Sequence, residues 1–431
     1  MKIEIDDNKK WQQSLTIKII LLAILGLFLL APLEMIKSVI REREKSSENV
    51  KKEIAFQWAG QQTVSGPLLN IPVVVHQPEK NAEPHRIIYH IMPENLEITG
   101  NILTEKRHRA IYQAIVYTGD ITLTGEFVLK APAVQPDDEI LWNEAYFSVG
   151  ITDNRGIKGS VALKAGSAEI NAVPGLRDTE VFSSGITFPS GLNEKDSKIP
   201  FSIALKLSGS ESLNFIPSGR MTKVKLNSPW DYPGFSGNFL PSERIVDRTG
   251  FRAEWLITDL NRNFPQEWAG SAYTPDKDAF GVNFIFPVDH YQKALRSAKY
   301  GILFIALTFL SLIFSEMTTG IRFHVFHYLL ISLALVLFFS LLNALSEQIG
   351  FNMSYLISSV SVAGLTGLFL GRLVKNIKPV LITVGLLVFL YTFIFILLTL
   401  NEYAYLAGNI GLFVLLAVTM ALSVRLKQFT P

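Results

Sequence analysis

No cysteine occurs in the 431 residues, which removes disulfides, thiol catalysis and thiolate-bound metals or clusters from consideration. Charge of one sign is lacking too: 40 Lys and Arg stand against 38 Asp and Glu, a formal net charge of +2. Without a basic stripe, nucleic-acid binding is not indicated. The common catalytic signatures are absent, with no H-E-x-x-H, no G-x-S-x-G and no G-x-x-x-x-G-K-S/T run, so zinc-protease, serine-hydrolase and P-loop chemistry have no local footprint. What is present is unevenly spread. Hydrophobic residues make up 48% of the chain and charged residues 18%, and few of the latter fall between Tyr300 and Val424.

A hydrocarbon layer about 30 Å thick needs roughly 20 mainly apolar helical residues. Six segments qualify: Leu15–Leu33, Tyr300–Ser315, Phe326–Leu345, Tyr355–Leu370, Pro379–Leu400 and Tyr403–Val424. The first begins after Lys9 and Lys10 but ends in Leu29-Leu30-Ala31-Pro32-Leu33-Glu34, with no A-x-A-like cleavage site, so it reads as an uncleaved anchor rather than a signal peptide. Short loops decide direction. Arg322, then Arg372, Lys375 and Lys378, then Arg425 and Lys427 mark one side, whereas the alternate loops Ser346–Ser354 and Asn401–Glu402 carry no Lys or Arg. Both termini are therefore expected in the cytoplasm, with residues 34–299 outside it. The basic residues Lys37, Arg41, Arg43 and Lys45 run against this pattern, but they precede a long domain, and long domains cross largely regardless of charge.

Residues 1–14 form a cytoplasmic terminus, 15–33 the first span and 34–59 a juxtamembrane helix, which Ser65-Gly66-Pro67 stops. From 60 to 288 the periodicity is two. Ile121, Leu123, Phe127 and Leu129 share a face, as do Ile203, Leu205 and Leu207, while Val224 and Leu226 alternate with Lys223 and Lys225. Turn runs at Asp153–Gly156, Ser208–Ser210 and Pro217–Gly219 separate the strands. An inserted extracytoplasmic all-β domain follows, an antiparallel sandwich or meander. Asp289 and Gln292 suggest a capping box for a helix over 289–299 that enters a five-helix membrane domain at 300–424, and 425–431 is a short cytoplasmic tail. The fold class is thus integral membrane α-helical, six spans as one plus five.

Few residues invite chemistry. His85 and His90 lie five apart in a strand, hence on opposite faces, and His324 and His327 share a helix face with no evident third ligand, so no metal is assigned. Asp153-Asn154-Arg155-Gly156 reads first as an Asx-type turn. Trp230, Tyr232, Phe235 and Phe239 form an aromatic Gly/Pro-rich loop, a candidate binding lip whose simpler reading is packing on the sheet. Lys18, Glu34, Glu316, Glu347 and Arg372 fall near span ends, where charge is tolerated. Ser361, Gly364, Gly367 and Gly371 make a small-residue face suited to helix packing. No catalytic residue and no cofactor is assigned.

Four runs stand out, Ser65-Gly66-Pro67-Leu68-Leu69-Asn70-Ile71-Pro72-Val73, Met92-Pro93-Glu94-Asn95-Leu96, Ser148-Val149-Gly150 with Asp153-Asn154-Arg155-Gly156-Ile157, and Gly237-Asn238-Phe239-Leu240-Pro241. Through them the chain resembles the CreD family of bacterial inner-membrane proteins. The membrane entry Tyr291-Gln292 with Lys299-Tyr300-Gly301-Ile302-Leu303-Phe304-Ile305-Ala306-Leu307-Thr308-Phe309 continues the likeness. Tyr328-Leu329-Leu330 and Leu345-Ser346-Glu347 with Gly350-Phe351 extend it, and it weakens in the last two spans. The resemblance implies cell envelope integrity, a stress-response setting in the CreB–CreC regulon, and no defined reaction. The leading expectation is a non-enzymatic cytoplasmic-membrane protein whose partners are membrane lipids, together with envelope proteins or lipid ligands. A transporter or lipid-handling protein, and a membrane sensor or regulator acting with a partner, are the alternatives.

Overall fold

A computed structural model describes residues 17–76, 84–109, 112–129, 132, 135–190, 192, 197–285, 290–319, 323–374, 377–400, 406–411, 413, 417 and 420. The chain divides into two units: Met1–Ser46 with Val288–Pro431, and Ser47–Pro287.

The first unit is helical because an apolar run in lipid must satisfy every backbone N–H and C=O within its own segment. Its helices are α1 (Ile17–Trp58, with a turn at Leu29, the last residues belonging to the second unit), α2 (His290–Lys299), α3 (Gly301–Thr319), α4 (Val325–Ile349), α5 (Phe351–Leu373) and α6 (Ile377–Thr399). Helices α1, α4, α5 and α6 are each long and apolar enough to cross a membrane. The pair α2 and α3, bent by 40°, makes a fifth crossing if taken as one span. Residues 406–411 are helical, but most of the sixth expected span, the tail and Asp289 lie outside the described residues.

Leu29, Leu33, Phe304, Tyr328, Phe338, Phe339, Leu387 and Ile394 are buried in one apolar cluster of this unit. Gly301 stands where helices approach closely: a Cβ there would lie 2.7 Å from Leu33 Cδ1 and 3.1 Å from Phe339 Cε2. Two polar links mark opposite ends of the bundle. Lys18, at the start of α1, donates to the Glu316 carboxylate near the end of α3 and to the Phe323 carbonyl at 2.7 Å. The Tyr291 hydroxyl, at the start of α2, donates to Glu347 Oε1 near the end of α4 at 3.1 Å.

The second unit is built on strands. The first nine are β1 (Gln62–Val75), β2 (His85–Ile91), β3 (Asn95–Arg109), β4 (Tyr112–Val128), β5 (Glu139–Ile140), β6 (Tyr146–Ile151), β7 (Ala162–Ala165), β8 (Ala168–Asn171) and β9 (Val173–Pro174). The rest are β10 (Gly185–Pro189), β11 (Lys198–Ser210), β12 (Ser212–Phe215), β13 (Met221–Ser228), β14 (Pro233–Gly237), β15 (Glu243–Asp247), β16 (Gly250–Thr258), β17 (Glu267–Ala269) and β18 (Phe280–Phe284). One sheet runs β14-β18-β12-β1-β6-β10-β9, with β2, β17 and β5 attached through β1; the other runs β15-β16-β13-β3-β4-β11-β7-β8.

Pairing is mostly antiparallel, but β1 runs parallel to β12 and β3 parallel to β13. Many neighbours are not consecutive in the chain. The sheets are therefore mixed and crossed over, which corrects the expectation of a purely antiparallel sheet or a meander. Both sheets feed one core: Phe127 of β4 lies 5.3 Å from Phe147 of β6, and Trp255 of β16 lies 5.8 Å from Phe280 of β18. Each such buried aromatic contributes roughly 1.5–3 kcal/mol through its apolar area.

Ser65-Gly66-Pro67 does not stop the helix. Helix α1 ends at Trp58, β1 already starts at Gln62, and the Gly-Pro pair forms a bulge within it, where the register with β6 shifts between Ser65 and Leu68. Proline has no N–H for the ladder, so a bulge is where a central strand tolerates it. Gly66, at φ +92°, donates its N–H to Ser218 Oγ instead.

Candidate functional site

Strand β2 is flanked by β1 and β17, in a register that sets His90 opposite Asn70 on one side and Trp268 on the other. The His90 side chain is completely buried. Asn70 Nδ2 donates to Ser148 Oγ at 2.9 Å, with longer contacts to the Leu68 and Tyr146 carbonyls. Two of these partners are carbonyls that only accept, so the amide orientation is fixed and Asn70 Oδ1 faces His90 Nδ1 at 2.8 Å. An amide oxygen accepts only. Nδ1 therefore carries a proton, and in the neutral ring Nε2 presents a bare lone pair.

That lone pair has no hydrogen-bond partner. It faces Asp178 Oδ2 at 3.9 Å and Glu180 Oε2 at 3.7 Å, both from the segment joining β9 to β10. Asp178 uses its other oxygen to accept the Glu180 N–H at 2.9 Å. The three donor atoms lie within 4.8 Å of one another, the one such group of three found among the described residues. Trp268 walls the site, its ring 5.4 Å from the imidazole. The Tyr146 ring, beneath the Arg177 guanidinium, belongs to the same surroundings. Burial drives the imidazole down to about 4, opposed by the negative charge of Asp178, and burial together with Asp178 raises the Glu180 carboxyl.

The residues singled out in the sequence are placed as follows. His85 is exposed at the start of β2 and His90 buried near its end, on opposite faces as their spacing requires. His324 and His327 cap α4: His324 Nδ1 accepts the Phe326 N–H and His327 Nδ1 accepts the His324 N–H, each at 3.2 Å. The run 153–156 is the Asx-type turn, with Asp153 Oδ1 accepting the Arg155 N–H at 3.1 Å. The Arg155 guanidinium, with the Gly60 and Arg155 N–H groups, holds the Asp153 carboxyl down to about 2.

In the aromatic loop, Trp230 is buried and its indole donates to the Tyr232 carbonyl at 3.0 Å. Phe235 packs edge-on to Phe251 and Trp255, and Phe239 to Phe280, which leaves Tyr232 as the exposed ring of the four. On α5, Gly367 would bring a Cβ within 3.0 Å of Val384, but Ser361, Gly364 and Gly371 are exposed. The buried face of α5 is made by Ser354, Tyr355, Ser358, Val362, Thr366 and Leu370. Beside Tyr355 and Tyr391 an apolar groove of about 450 Å³ runs between α5 and α6. Asp178 and Glu180 were not singled out in the sequence. The only local sign of them is two carboxylates two residues apart, which is too common to select.

A helical unit with several membrane-crossing segments and an inserted β unit define a multi-pass membrane protein with one large non-membrane domain. The family described as Inner membrane protein CreD matches residues 14–428. Inner membrane protein CreD of Escherichia coli (strain K12) is 34% identical over 372 residues, covering 84% of this chain and 82% of that protein. The chain belongs to the CreD family and is a multi-pass inner-membrane protein of the cell envelope. Among solved structures, an M1 zinc metallopeptidase from Deinococcus radiodurans overlaps 38% of this chain and 39% of its own at 9% identity, with a TM-score of 0.20. A second structure of that peptidase gives 6% identity, 38% of each chain and a TM-score of 0.19. Overlap of that degree carries no argument about fold or function.

Proposed function

We propose that this protein maintains cell envelope integrity without catalysing a reaction, its β unit making contacts with envelope components from outside the cytoplasmic membrane. The observation that carries this reading is the pairing of a membrane unit with an inserted β unit of its own core, in a chain of the CreD family. The partners are membrane lipids and envelope proteins or lipid ligands, and no nucleic acid. Deleting the gene is expected to lower tolerance to detergent or wall-targeting drugs, and reintroducing the full chain to restore it. Undiminished tolerance of the deletion strain to all such stresses would sink the proposal.

The arrangement belonging to this reading has six spans, both termini cytoplasmic, residues 34–299 extracytoplasmic, and the two sheets packed as a sandwich. The short-loop charges support it. So do the two polar links, since Lys18 with Glu316 and Tyr291 with Glu347 fall at ends that this threading assigns to the same side. Alkaline phosphatase inserted at the exposed turn around Arg248 is expected to be active outside the membrane. Activity only of a cytosolic reporter at that position would reverse the orientation.

The groove between α5 and α6 favours one other reading, lipid handling. Met353, Leu356, Val360 and Val388 line it and are exposed on the bundle surface, where an acyl chain is the available occupant in a bilayer.

A further inference from the structure

We propose that His90, Asp178 and Glu180 form a binding site for a divalent transition-metal ion of the zinc class in the β unit. Two independent observations meet here. One is the convergence of a nitrogen and two carboxylate oxygens within 4.8 Å. The other is a fully buried imidazole whose Nε2 has no hydrogen-bond partner and points at those oxygens. A buried acceptor left unsatisfied costs about 1–3 kcal/mol, and a lone pair facing two carboxylates adds repulsion. A cation among them removes both penalties.

The distances separate an ion from a proton. A proton shared between Nε2 and a carboxylate would draw the two atoms to about 2.7–2.9 Å, whereas they stand at 3.7 and 3.9 Å. With metal–ligand bonds of about 2.0–2.2 Å, tetrahedral ligands lie roughly 3.4 Å apart. The imidazole nitrogen needs to close on each carboxylate oxygen by only a few tenths of an ångström, and all three donors already lie within 4.8 Å of one another.

The outer contacts are those of a metal-binding histidine. Such a ring usually donates its other N–H to a fixed oxygen, which sets the tautomer. Asn70 Oδ1 does this at 2.8 Å and is itself oriented by the bonds of Nδ2 to Ser148 and two backbone carbonyls. The Glu180 N–H occupies Asp178 Oδ1 and leaves Oδ2 for the ion. Imidazole among the donors disfavours Mg2+ and Ca2+, which take oxygen ligands. The Glu180 side chain is 41% exposed and Asp178 13%, so the site opens to solvent on its carboxylate side. Three protein ligands with room for water match an open zinc site rather than a closed structural one.

The test uses the full-length protein, purified in detergent without a histidine tag and stripped with chelator. Calorimetry with Zn2+ and visible absorption with Co2+ are the readouts. The wild type is expected to bind about one ion per chain, with Co2+ bands of four- or five-coordinate geometry. D178N/E180Q keeps the buried imidazole and its Asn70 bond, and is expected to weaken binding by about 100-fold or more. N70A is expected to weaken it by about 10- to 100-fold through loss of ring orientation. Zn2+ should raise the Tm of the wild type and leave that of D178N/E180Q unchanged, which also shows that the double variant is folded. Absence of saturable binding by the wild type, or equal binding by D178N/E180Q, overturns the proposal.

Discussion

Replacing Glu316 with leucine is expected to destabilise the helical unit by about 3–5 kcal/mol, the effect of removing one partner of a buried ion pair. Lys18 and Glu316 are only 17% and 10% exposed in their side chains. Each is also tied to the backbone, Lys18 donating to the Phe323 carbonyl and Glu316 accepting the Phe323 N–H. The ammonium lies 5.1 Å above the Tyr328 ring as well. With Glu316 gone, a desolvated ammonium keeps one carbonyl and a ring face, which do not neutralise it. E316Q keeps an acceptor for Phe323 and should lose less. K18M/E316L removes both charges and should regain most of the stability, since a buried pair replaced by apolar groups of similar size is often neutral. Denaturant titration in mixed micelles, followed by far-UV circular dichroism, measures all three. A loss below about 1 kcal/mol for E316L would mean that the pair behaves as an exposed one.

That pair also shows how far the sequence could be read. Lys18 and Glu316 could each be placed near a span end from hydropathy alone, because the apolar runs around them set the limits. Their meeting depends on the way α1 packs against α3, which no local pattern encodes. Strands behave alike. The alternation Ile121, Leu123 and Phe127 fixes which face of β4 is buried, and the structure buries those three. Gly125 interrupts that face because a Cβ would sit 1.9 Å from the Asn95 carbonyl oxygen. Partner choice was hidden. The parallel pairings β1–β12 and β3–β13 join segments far apart in sequence, and a period of two says nothing about direction.

The candidate site was less legible than the fold. Spacing placed His90 on the face opposite His85, but its burial comes from strands β1 and β17 on either side of β2. Asp178 and Glu180 reach it from a segment without strand periodicity, and tertiary structure alone brings them together. Ser65-Gly66-Pro67 misled for a related reason. Gly followed by Pro is a common helix-stop signal, yet here a continuous apolar strand absorbs it as a bulge. On α5, small residues suggested a packing face, while the buried stripe follows Ser354, Ser358, Thr366 and Leu370. Small polar side chains pack closely too, so glycine content alone does not choose the face.

The turn at 153–156 carries the second large effect: Gly156→Ala is expected to cost the β unit about 3–5 kcal/mol. A Cβ at this position would lie 2.2 Å from the Ser208 carbonyl oxygen and 2.4 Å from Gln62 Nε2. Neither neighbour moves freely. Ser208 is in β11, held in register with Thr118 of β4, and the turn itself is bridged to β11 through Ile157 and Leu207. Gln62 Nε2 donates to both the Asp153 and Ser208 carbonyls, and Gln62 Oε1 accepts the Asp153 N–H at 3.1 Å. Admitting a methyl group therefore requires backbone displacement, at about 1–3 kcal/mol for overpacking, and strands at least one buried polar group, at about 1–3 kcal/mol more. Two nearby substitutions separate this collision from other losses. R155A removes a half-exposed ion pair with Asp153 and should cost no more than about 1 kcal/mol. G159A meets nothing within 4 Å but forces a side chain to φ +77°, a backbone strain of about 1–2 kcal/mol. Trp58, Trp142, Trp230, Trp255 and Trp268, five of the six tryptophans, lie in the β unit, so intrinsic fluorescence during denaturant unfolding of the full chain reports on it. G156A should shift the midpoint well beyond both controls. A shift no larger than that of R155A would mean that Ser208 and Gln62 can yield, and that the turn is not clamped by its surroundings.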